Sequence, residues 1–587
     1  MNALETPVLI VGGGGAGLTA SMLLSQLGIE SLLVSALPTT SILPKAHVLN
    51  QRAMEILTDV GVADAIYAHG TPAENMRHTA YYAGFAGPDP VYGRAIARLE
   101  SWGAGGLDPD WASASPCRQA NLPQIRLEPI LKARAEALAP GRVRFHHELV
   151  DVAQDAEGVT AEVRDRDAGE SYRVRARYLL ACDGGRTVGP RLGVKLEGPR
   201  DLFRIVSIYM SADLSRWARD PDVLIRWLWL PERGALATLV PMGPRHWGPD
   251  SEEWVFHRNY ENEDTRALDD AQVVAHMKDA LGLPDLDAKV HVVSRWSMEG
   301  ILADRFRVGR VFLVGDAAHR HPPTGGLGLT SGMADAHNLC WKLAAVLAGR
   351  AGDGLLDTYE AERRPVDGRN VQRSLENGMN HFRIAEAIGL GRESGAEKNL
   401  AALRSALREG PHRRAVLEAV ASQSMEFREH AVEYGYAYAS SAVVPDGRPA
   451  PAAVDEIRVY VPSTRPGAPL PHAWLEDPDG ARHSTLDLIR PGRFLLIAGE
   501  EGGAWSDAAR AVAANAGVPL DAVRIGHATG DYRDPRCAWL VRSEIGPRGA
   551  VLVRPDRFVA WRSLGLEGAD PNGELARVFA RVLAKES

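Results

Sequence analysis

The alternation of apolar and polar positions at the start of the chain predicts a strand, a helix and a second strand. Residues 8–11 form a short apolar run of the kind found in buried parallel strands, and apolar positions with helical spacing follow over residues 18–27. A second apolar run covers residues 31–34. A strand–helix–strand unit of this kind is the first repeat of a doubly wound α/β domain.

Other patterns follow further along the chain. An apolar run at 311–314 leads through a glycine-rich turn into a helical pattern at about 329–347. Short apolar runs separated by Pro, Asp and Gly predict an antiparallel sheet, and they lie at 203–210, 223–230, 235–241 and 254–259. Near the C-terminus the pattern predicts a strand, a helix and a hairpin, at 494–498, 508–516, 550–553 and 559–562. The expected fold class is therefore α/β, a Rossmann-type domain with an inserted antiparallel sheet and a C-terminal α/β unit.

The composition is that of an ordinary globular protein. The 587 residues are 45% hydrophobic and 24% charged, and a net charge of −8 with a pI near 6.2 gives no reason to expect nucleic acid or an anionic membrane as a partner. The N-terminus lacks the pattern of a signal peptide, and no stretch reaches the roughly 20 apolar residues of a membrane helix. The four cysteines show neither CxxC nor metal-ligand spacing, so we expect free thiols, no metal site and a cytoplasmic location.

The turn after the first strand carries a dinucleotide-binding fingerprint. Residues 12–17 read GGGGAG and match G-x-G-x-x-G, which provides a tight turn, close approach of a pyrophosphate to the backbone, and close helix–strand packing. An Asp or Glu usually follows about 20 residues later to bind a ribose, but here Ser35 ends the second strand and offers only a neutral hydrogen bond. The candidate cofactor contacts in this unit are Gly12, Gly14, Gly15, Ala16, Gly17 and Ser35.

A second candidate cofactor loop reads GDAAHRHPPTGGLGLTSG over residues 315–332. An Asp at a strand end can bind polyol hydroxyls, the glycines let backbone N–H groups approach a flat ring, and the helix that follows points its positive end at that ring. The two prolines stiffen the loop and present an apolar wall, which favours FAD over NAD. The candidate contacts are Asp316, Pro322, Pro323, Gly325, Gly326, Gly328, Leu329 and Thr330.

Together with a middle motif, Cys-Asp-Gly-Gly-Arg-Thr at 182–187, these stretches resemble the single-component FAD-dependent aromatic hydroxylases with a para-hydroxybenzoate hydroxylase-like core. The chain departs from the family pattern in the middle motif, where Thr187 replaces the usual Ser and Pro190 an Arg, and in the third loop, where Leu-Gly-Leu-Thr replaces Gln-Gly-Met-Asn. The resemblance implies four further cofactor contacts, Lys45, Arg52, Gln124 and Asp183.

The C-terminal part is similar to that of the phenol and 2,4-dichlorophenol 6-monooxygenase branch of the family, on residues 465–475 and 549–555. That branch ends in a thioredoxin-like domain. Because no CxxC occurs here, we expect this domain to pack or oligomerise rather than to carry out redox chemistry. The resemblance implies an FAD-binding domain at 1–192 and 301–400, a β-rich substrate domain at 193–300, a helical connector at 401–455 and a thioredoxin-like domain at 456–587.

The resemblance also implies the reaction. NADPH or NADH transiently reduces FAD, O2 forms a C4a-hydroperoxyflavin, and a phenolic ring is hydroxylated ortho to its hydroxyl. Because the phenolate is the more reactive form, a base near the hydroxyl is expected, and His47 is the candidate. Pro322 is grouped with His47 at the reacting centre, whereas His319 and His321 are expected to be structural. Trp227 and Trp229 share one face of their strand and are candidate substrate contacts, although aromatic residues on a sheet are often plain core.

The sequence leaves other functions open. One alternative substrate is a larger natural-product phenol or a hydroxypyridine, and a second alternative is an FAD-binding reductase that does not transfer oxygen. The expected partners are a small phenolic substrate and O2. We also expect a homo-oligomer, formed through the substrate domain, the C-terminal domain or both.

Overall fold

The first part of the chain builds most of a nucleotide-binding domain. A computed structural model describes residues 4–260, 268–450, 452–566 and 568–585. In chain order the first elements are β1 Leu4–Val11, α1 Gly15–Gln26, β2 Ser31–Ser35, β3 Val48–Leu49, α2 Gln51–Asp59, α3 Ala63–His69, β4 His78–Ala83, β5 Arg94–Glu100, α4 Trp102–Gly106, α5 Pro109–Ala114, β6 Ala120–Asn121, α6 Gln124–Leu138, β7 Val143–Phe145, β8 His147–Gln154, β9 Val159–Asp165, β10 Ser171–Ala181, α7 Val188–Arg191 and β11 Leu196–Glu197.

The remaining elements form the rest of this domain, a second sheet and a C-terminal unit. They are β12 Phe203–Ser211, β13 Val223–Leu230, β14 Ala235–Gly243, β15 Glu253–Asn259, α8 Asp270–Leu281, β16 Lys289–Met298, β17 Ile301–Ala303, β18 Arg307–Val308, β19 Val311–Leu313, β20 His319–Arg320, α9 Leu327–Leu347, α10 Gly354–Ile388, α11 Ala396–Ala406, α12 Pro411–Ser422, α13 Ser424–Phe427, α14 His430–Glu433, β21 Trp474–Glu476, β22 Arg482–Ser484, β23 Phe494–Gly499, α15 Gly503–Ala516, β24 Leu520–Gly526, β25 Tyr532–Arg533, α16 Ala538–Ser543, β26 Ala550–Val553, β27 Val559–Ser563 and α17 Pro571–Val582.

The first sheet confirms the predicted Rossmann-type arrangement. Its order is β18–β19–β10–β1–β2–β7, and the pairs β1/β2, β1/β10, β10/β19 and β2/β7 are parallel. The strand segments at the centre of the sheet are buried because helices cover them: residues 8–11 of β1 are buried, and β2 is buried at every position. Helix α1 packs against both α6 and α9, so the helices that follow the first and the third motif are neighbours.

The second sheet is larger than the sequence predicts. Its order is β16–β12–β15–β14–β13–β4–β5, antiparallel except for the parallel pair β13/β4. Strands β4 and β5 were not predicted, because they belong to the first part of the chain: β4 pairs with β13 across more than 100 residues, and β5 pairs with β4 at the edge of the sheet. One face of the sheet packs on α8, and the other carries Tyr209, Val240 and Val255 against Val48 of the nucleotide-binding domain. That second face closes a space over the first sheet.

The C-terminal unit has the strand order of a thioredoxin fold. Parallel strands β23 and β24 flank α15 in the chain, and the antiparallel hairpin β26/β27 leads to α17. The resulting order β24–β23–β26–β27 ends at the sheet edge formed by β27, and β25, β21 and β22 extend the sheet on the other side. The sequence-based strand, helix and hairpin are confirmed. The four cysteines are unpaired thiols in the described structure. Among the described residues no helix is long and apolar enough to cross a membrane.

The connector between the domains contains a buried acid that makes stability depend on pH. Glu433 at the end of α14 is 5% exposed, and its Oε2 has no hydrogen-bond partner in the described part of the chain. Burial raises its pKa from 4.5 to about 8, so the folded protein favours the protonated form. This contribution to stability is complete below pH 4.5 and is lost as the pH rises towards 8.

We therefore expect Glu433→Gln to stabilise the protein at pH 8.5 and to change little at pH 5. The gain should be at least about 1.4 kcal/mol, the equivalent of one pKa unit. Urea unfolding of both proteins at the two pH values measures it, with the exposed Glu386→Gln as the matched control. An equal effect of Glu433→Gln at both pH values would contradict the assignment.

Candidate active site

Several loops meet at the carboxyl edge of the parallel sheet. Backbone hydrogen bonds tie them together: Gly12 N–H donates to Val34 at 2.8 Å and Cys182 N–H to Val11 at 2.7 Å. The residues after β1, β2, β10 and β19 therefore lie side by side, which is where ligands bind in open α/β sheets. All three sequence motifs converge on this edge.

The glycines of the first motif do what the fingerprint requires. A Cβ on Gly12 would lie 2.1 Å from the carbonyl oxygen of Cys182, and one on Gly17 would lie 2.0 Å from that of Gly12. Neither position tolerates a side chain. A Cβ on Gly14 would instead meet only Glu128 Oε1, at 3.6 Å. Gly14 is the N-cap of α1, so the open approach leads directly to free backbone N–H groups.

The third motif brings a second helix N-terminus to the same place. Helix α9 begins at Leu327, two residues earlier than predicted, because Gly326 adopts a left-handed conformation (φ +70) that ends the loop. Gly328, Leu329 and Thr330 consequently lie in its first turn. The side chain of Leu329 is 2.5 Å from the Cβ position of Gly15, and Ala16 lies 3.2 Å from that of Gly315. The starts of α1 and α9 thus face one crevice.

The two acids of the middle and third motifs differ in their surroundings. The Asp183 carboxylate accepts hydrogen bonds from the backbone N–H groups of Gly185, Thr187 and Val188 at 3.0, 2.8 and 2.8 Å, so its side chain shapes its own loop. Asp316 is exposed, and its carboxylate makes no side-chain hydrogen bond with the described residues. It lies at the open rim of the site, where it is accessible to the hydroxyl groups of a ligand.

Around the first motif, a group of polar residues frames the crevice. Ser35 is buried, with its Cβ 3.0 Å from the Cβ position of Gly13. Gln124 begins α6, and its side chain donates to Glu128 Oε1 at 2.5 Å. Glu128, which the sequence did not single out, also accepts from the Ser41 backbone at 2.7 Å. Lys45 is exposed, with a left-handed backbone (φ +38).

Arg52 has partners that the sequence did not predict. Its Nη1 donates to Glu55 at 2.7 Å, and its guanidinium lies over the rings of Tyr434 and Phe558, at 4.7 and 5.3 Å from their centres. Both rings come from beyond the nucleotide-binding domain, so Arg52 joins that domain to the C-terminal half. In the described structure its Nε and Nη2 have no partner, which leaves two donors for a cofactor contact.

The two candidate tryptophans of β13 have different environments. Trp227 is half-buried, donates from Nε1 to Thr79 at 2.8 Å, and packs against His381 with ring centres 4.2 Å apart. Trp229 is 3% exposed and lies inside an apolar cluster with residues of α10, α11 and α12, a cluster that Trp227 contacts only from outside. Trp229 therefore occupies a core position, which is the alternative to substrate contact that the sequence left open for both tryptophans. Pro322 is buried and Pro323 exposed in the turn before α9.

His47 lies where the cofactor loops meet the apolar face of the second sheet. Its Nδ1 is 2.5 Å from Asn121 Oδ1, and the Asn121 amide donates from Nδ2 to Thr71 at 2.6 Å. Since Asn121 presents its oxygen, His47 must donate from Nδ1, so the neutral ring carries no proton on Nε2. Burial lowers the pKa of His47 below 6.5, and the bond to Asn121 opposes this effect. At neutral pH the free Nε2 is therefore a proton acceptor.

His319 belongs to a buried ion network, and its neighbour His321 packs against it. His319 Nε2 is 2.7 Å from Asp335, and Arg363 binds Asp335 and Asp367 at 2.7 and 2.6 Å. Burial alone would lower the pKa of His319, but the charges of Asp367 and Asp335 raise it to about 9. The network links the third motif to α9 and α10, which agrees with the structural role expected for His319. His321 packs against the His319 ring.

These features fit FAD. Two helix N-termini and the open approach at Gly14, where a Cβ would have only ordinary contact with Glu128, provide for a pyrophosphate, and the exposed carboxylate of Asp316 can bind hydroxyl groups. The first turn of α9 offers backbone N–H groups and a positive dipole to a ring that gains negative charge on reduction.

Comparisons with known proteins agree with this site. The family profile described as "FAD binding domain" matches residues 5–374, and the one described as "Aromatic-ring hydroxylase, C-terminal" matches residues 463–585. The chain is 36% identical to a 2,4-dichlorophenol 6-monooxygenase of Delftia acidovorans, over 99% of this chain and 98% of that one. It is also 36% identical to a tetracenomycin B2 monooxygenase-dioxygenase of Streptomyces olivaceus, over the full length of both.

A solved structure extends the agreement to the whole fold. The flavin-dependent monooxygenase PieE, in complex with FAD and substrate, superposes with a TM-score of 0.91 at 39% identity, over 100% of both chains. Similarity of this extent covers the nucleotide-binding domain, the second sheet and the thioredoxin-like unit together. The chain therefore belongs to the family of FAD-dependent aromatic-ring hydroxylases.

Proposed function

We propose that this flavin-dependent monooxygenase hydroxylates a phenolic ring at the carbon next to the hydroxyl group, with O2 as the source of oxygen and NADPH or NADH as reductant. The observation that carries the proposal is His47, whose free Nε2 lies between the cofactor crevice and the apolar sheet. A phenol reacts with electrophiles much more readily as the phenolate. A base at this position is what that reaction requires.

We also propose which residues contact each part of FAD. Bound FAD supplies electron transfer from the nicotinamide and the activation of oxygen. We assign the pyrophosphate to the start of α1, with Arg52, Lys45 and Gln124 around it. Asp316 would bind the polyol chain of FAD, and the loop before α9 would contact its flavin ring. Ser35 and Asp183 act by shaping the neighbouring turns. The residues proposed to touch FAD are Gly12, Gly14, Gly15, Ala16, Gly17, Lys45, Arg52, Gln124, Asp316, Pro323, Gly325, Gly326, Gly328, Leu329 and Thr330.

Proton transfer is the step that the protein itself performs. His47 Nε2 takes the proton of the phenol, and the electron pair of the broken O–H bond stays on the phenol oxygen. The bond from Nδ1–H to Asn121 fixes the ring and strengthens as the imidazolium forms. Trp227 and Pro322 bound the space and exclude water, whereas Trp229 packs in the core.

Two alternatives differ from this proposal, one in the substrate and one in the reaction. The name of the Streptomyces relative supports a larger phenolic natural product as substrate, and the name of the Delftia relative supports a simple phenol. A reductase that oxidises NAD(P)H without transferring oxygen is the other candidate, and it needs no base near the ring.

The experiment that separates these functions is NAD(P)H oxidation by the FAD-loaded protein, with and without a panel of simple phenols, polycyclic phenols and hydroxypyridines. We expect phenols to stimulate oxidation and to gain one oxygen atom by mass. Stimulation with hydrogen peroxide as the only product for every compound would favour the reductase. The same assay run with NADH and with NADPH decides the reductant.

We further infer that the protein is a homo-oligomer in a reducing cytoplasm. We assign the FAD-binding domain to residues 1–192 and 301–400, the substrate domain to 193–300 and the thioredoxin-like domain to 456–587, with a connector at 401–455. The four free thiols support the reducing compartment. Light scattering during size-exclusion chromatography tests the oligomeric state.

A further inference from the structure

A second histidine faces the same space as His47. His257 lies on β15, two positions from Val255 and therefore on the same face of the sheet. Val255 packs in one apolar cluster with Val48, the neighbour of His47 in the chain. The charge of His47 also contributes to lowering the pKa of His257, after the larger effect of burial, in agreement with this placement. Both side chains are half-buried, so each ring keeps surface that a ligand can contact.

The hydrogen bonds of His257 fix the position of its proton. The indole N–H of Trp296 can only donate, and it donates to Ser207 Oγ at 2.8 Å. The same oxygen is 2.7 Å from His257 Nδ1, and the Ser207 hydroxyl has no other acceptor among the described residues. We therefore assign the serine proton to the bond with Nδ1, which places the proton of the neutral ring on Nε2. With a pKa lowered to about 4, the ring is neutral throughout the physiological range.

The two histidines thus present opposite functions to one space. His47 offers a bare Nε2 that accepts a proton, and His257 offers an Nε2–H that donates one hydrogen bond. Neither Nε2 has a hydrogen-bond partner in the described part of the chain. His257 cannot act as a second base, because the nitrogen it presents is already protonated. A donor that a bound substrate shields from water costs free energy if it stays unpaired, so its natural partner is an acceptor on that substrate.

We propose that the enzyme selects phenols that carry a second oxygen as hydrogen-bond acceptor, a carbonyl, ether or further hydroxyl, and that His257 Nε2–H binds this oxygen while His47 accepts the proton of the reacting hydroxyl. This rests on the proposed function, in which a phenol occupies the space beside His47. It narrows the substrate class from phenols in general to oxygen-substituted phenols, and it makes His257 a specificity-determining residue.

The test compares isosteric phenols with and without the acceptor. Methoxyphenols are paired with ethylphenols at ring positions 2 and 3, and 3-hydroxyacetophenone is paired with 3-isopropylphenol. For the FAD-loaded wild type we expect kcat/KM and the binding constant from calorimetry to favour the acceptor-bearing member by about 10- to 100-fold in at least one pair. His257→Leu should abolish this preference, and His257→Gln, which keeps an N–H donor, should retain most of it.

A matched control and a spectroscopic readout separate specific from structural effects. His291→Leu removes another histidine of the same sheet that also bonds a serine, Ser211, at 2.7 Å, and it should keep the wild-type preference. In 15N spectra of histidine-labelled wild type, the signal of His257 is identified because it is absent from His257→Leu. Its chemical shifts should be those of a neutral ring protonated at Nε2. Ser207→Ala should shift that signal by releasing the tautomer.

The outcomes distinguish the two proposals. If no phenol is hydroxylated, the proposed function fails. If phenols are hydroxylated but every isosteric pair reacts alike, or if His257→Leu keeps the preference, the role of His257 is wrong and the proposed function stands. A signal protonated at Nδ1 would also overturn the role of His257.

Discussion

Replacing His47 by alanine is expected to lower kcat/KM for phenol hydroxylation by about 10²- to 10⁴-fold, the usual contribution of a positioned general base. The variant loses Nε2 of His47, to which we assign the phenol proton, and by our assignment His257 presents N–H and cannot replace it. FAD binding should be unaffected, since the motifs of the crevice do not depend on His47. Flavin absorbance of the purified variant and steady-state kinetics measure the two properties separately.

The pH profile gives a sharper signature than the loss of rate. His47 acts as a base only when neutral, and burial lowers its pKa below 6.5. The kcat/KM of the wild type should therefore decrease on the acid side with an apparent pKa below 6.5. In His47→Ala this decrease disappears, and activity should instead rise with the ionisation of the phenol itself. The deficit should therefore shrink for acidic phenols that are already ionised at the assay pH.

Two controls keep the interpretation specific to the base. His69→Ala removes a histidine on α3 that bonds only a carbonyl of its own helix, and it should behave like the wild type. Added imidazole should partly restore His47→Ala, as expected for a missing proton acceptor. A uniform loss for acidic and weakly acidic phenols, without rescue, would mean that His47 positions the substrate and takes no proton.

The part of the site that the sequence predicts is the part that depends on local backbone geometry. Gly12 and Gly17 are recognisable because any side chain at either position would collide with a carbonyl oxygen about 2 Å away. His47 was identified from its place in a family motif. The Asn121 bond that makes His47 a base comes from a residue 74 positions away and could not be read from the sequence.

The residues that were missed or misjudged depend on contacts between distant segments. His257 sits in an ordinary alternating strand, and only the pairing of the sheets shows that its face closes the site. Trp227 and Trp229 are equivalent by alternation and both pack against the same helices, yet Trp229 is 3% exposed and Trp227 only half-buried. Arg52 keeps two free donors, but the rings from beyond residue 430 that lie against it could not be predicted from the sequence. Such information resides in the tertiary packing and not in the spacing of residues along the chain.

Glu362→Leu is the substitution expected to damage the fold most. Glu362 on α10 is fully buried and accepts from Lys342 on α9 at 2.7 Å and from both terminal nitrogens of Arg554 at 2.5 and 2.9 Å. Arg554 belongs to the turn between β26 and β27, so a C-terminal cation is neutralised inside the nucleotide-binding domain. Removing the shared anion leaves two cations in the interior with only Asp556 between them, which should cost about 3–5 kcal/mol.

The damage should appear first at the junction between the domains. Ser440 of the connector also bonds Glu362, at 2.6 Å, so the loss releases the connector together with the thioredoxin-like unit. We expect a lower midpoint of thermal unfolding and faster proteolysis between residues 434 and 470, with the exposed Glu386→Gln on the same helix as the unaffected control. Burial already lowers the pKa of Lys342 to about 8, so without its anion this lysine should lose its proton near neutral pH.

A quadruple variant distinguishes loss of charge balance from loss of packing. It combines Glu362→Leu with Lys342→Met, Arg554→Met and Asp556→Leu, and so removes both anions and both cations while keeping most of the buried volume. Apolar replacement of a whole buried ion cluster is often neutral or stabilising, so this variant should recover much of the stability that Glu362→Leu loses. If it is no more stable than the single variant, the hydrogen bonds of the cluster, and not the compensation of its charges, hold the thioredoxin-like unit in place. In that case the unit is positioned by directional contacts to a single carboxylate, and its orientation should be sensitive even to Glu362→Gln.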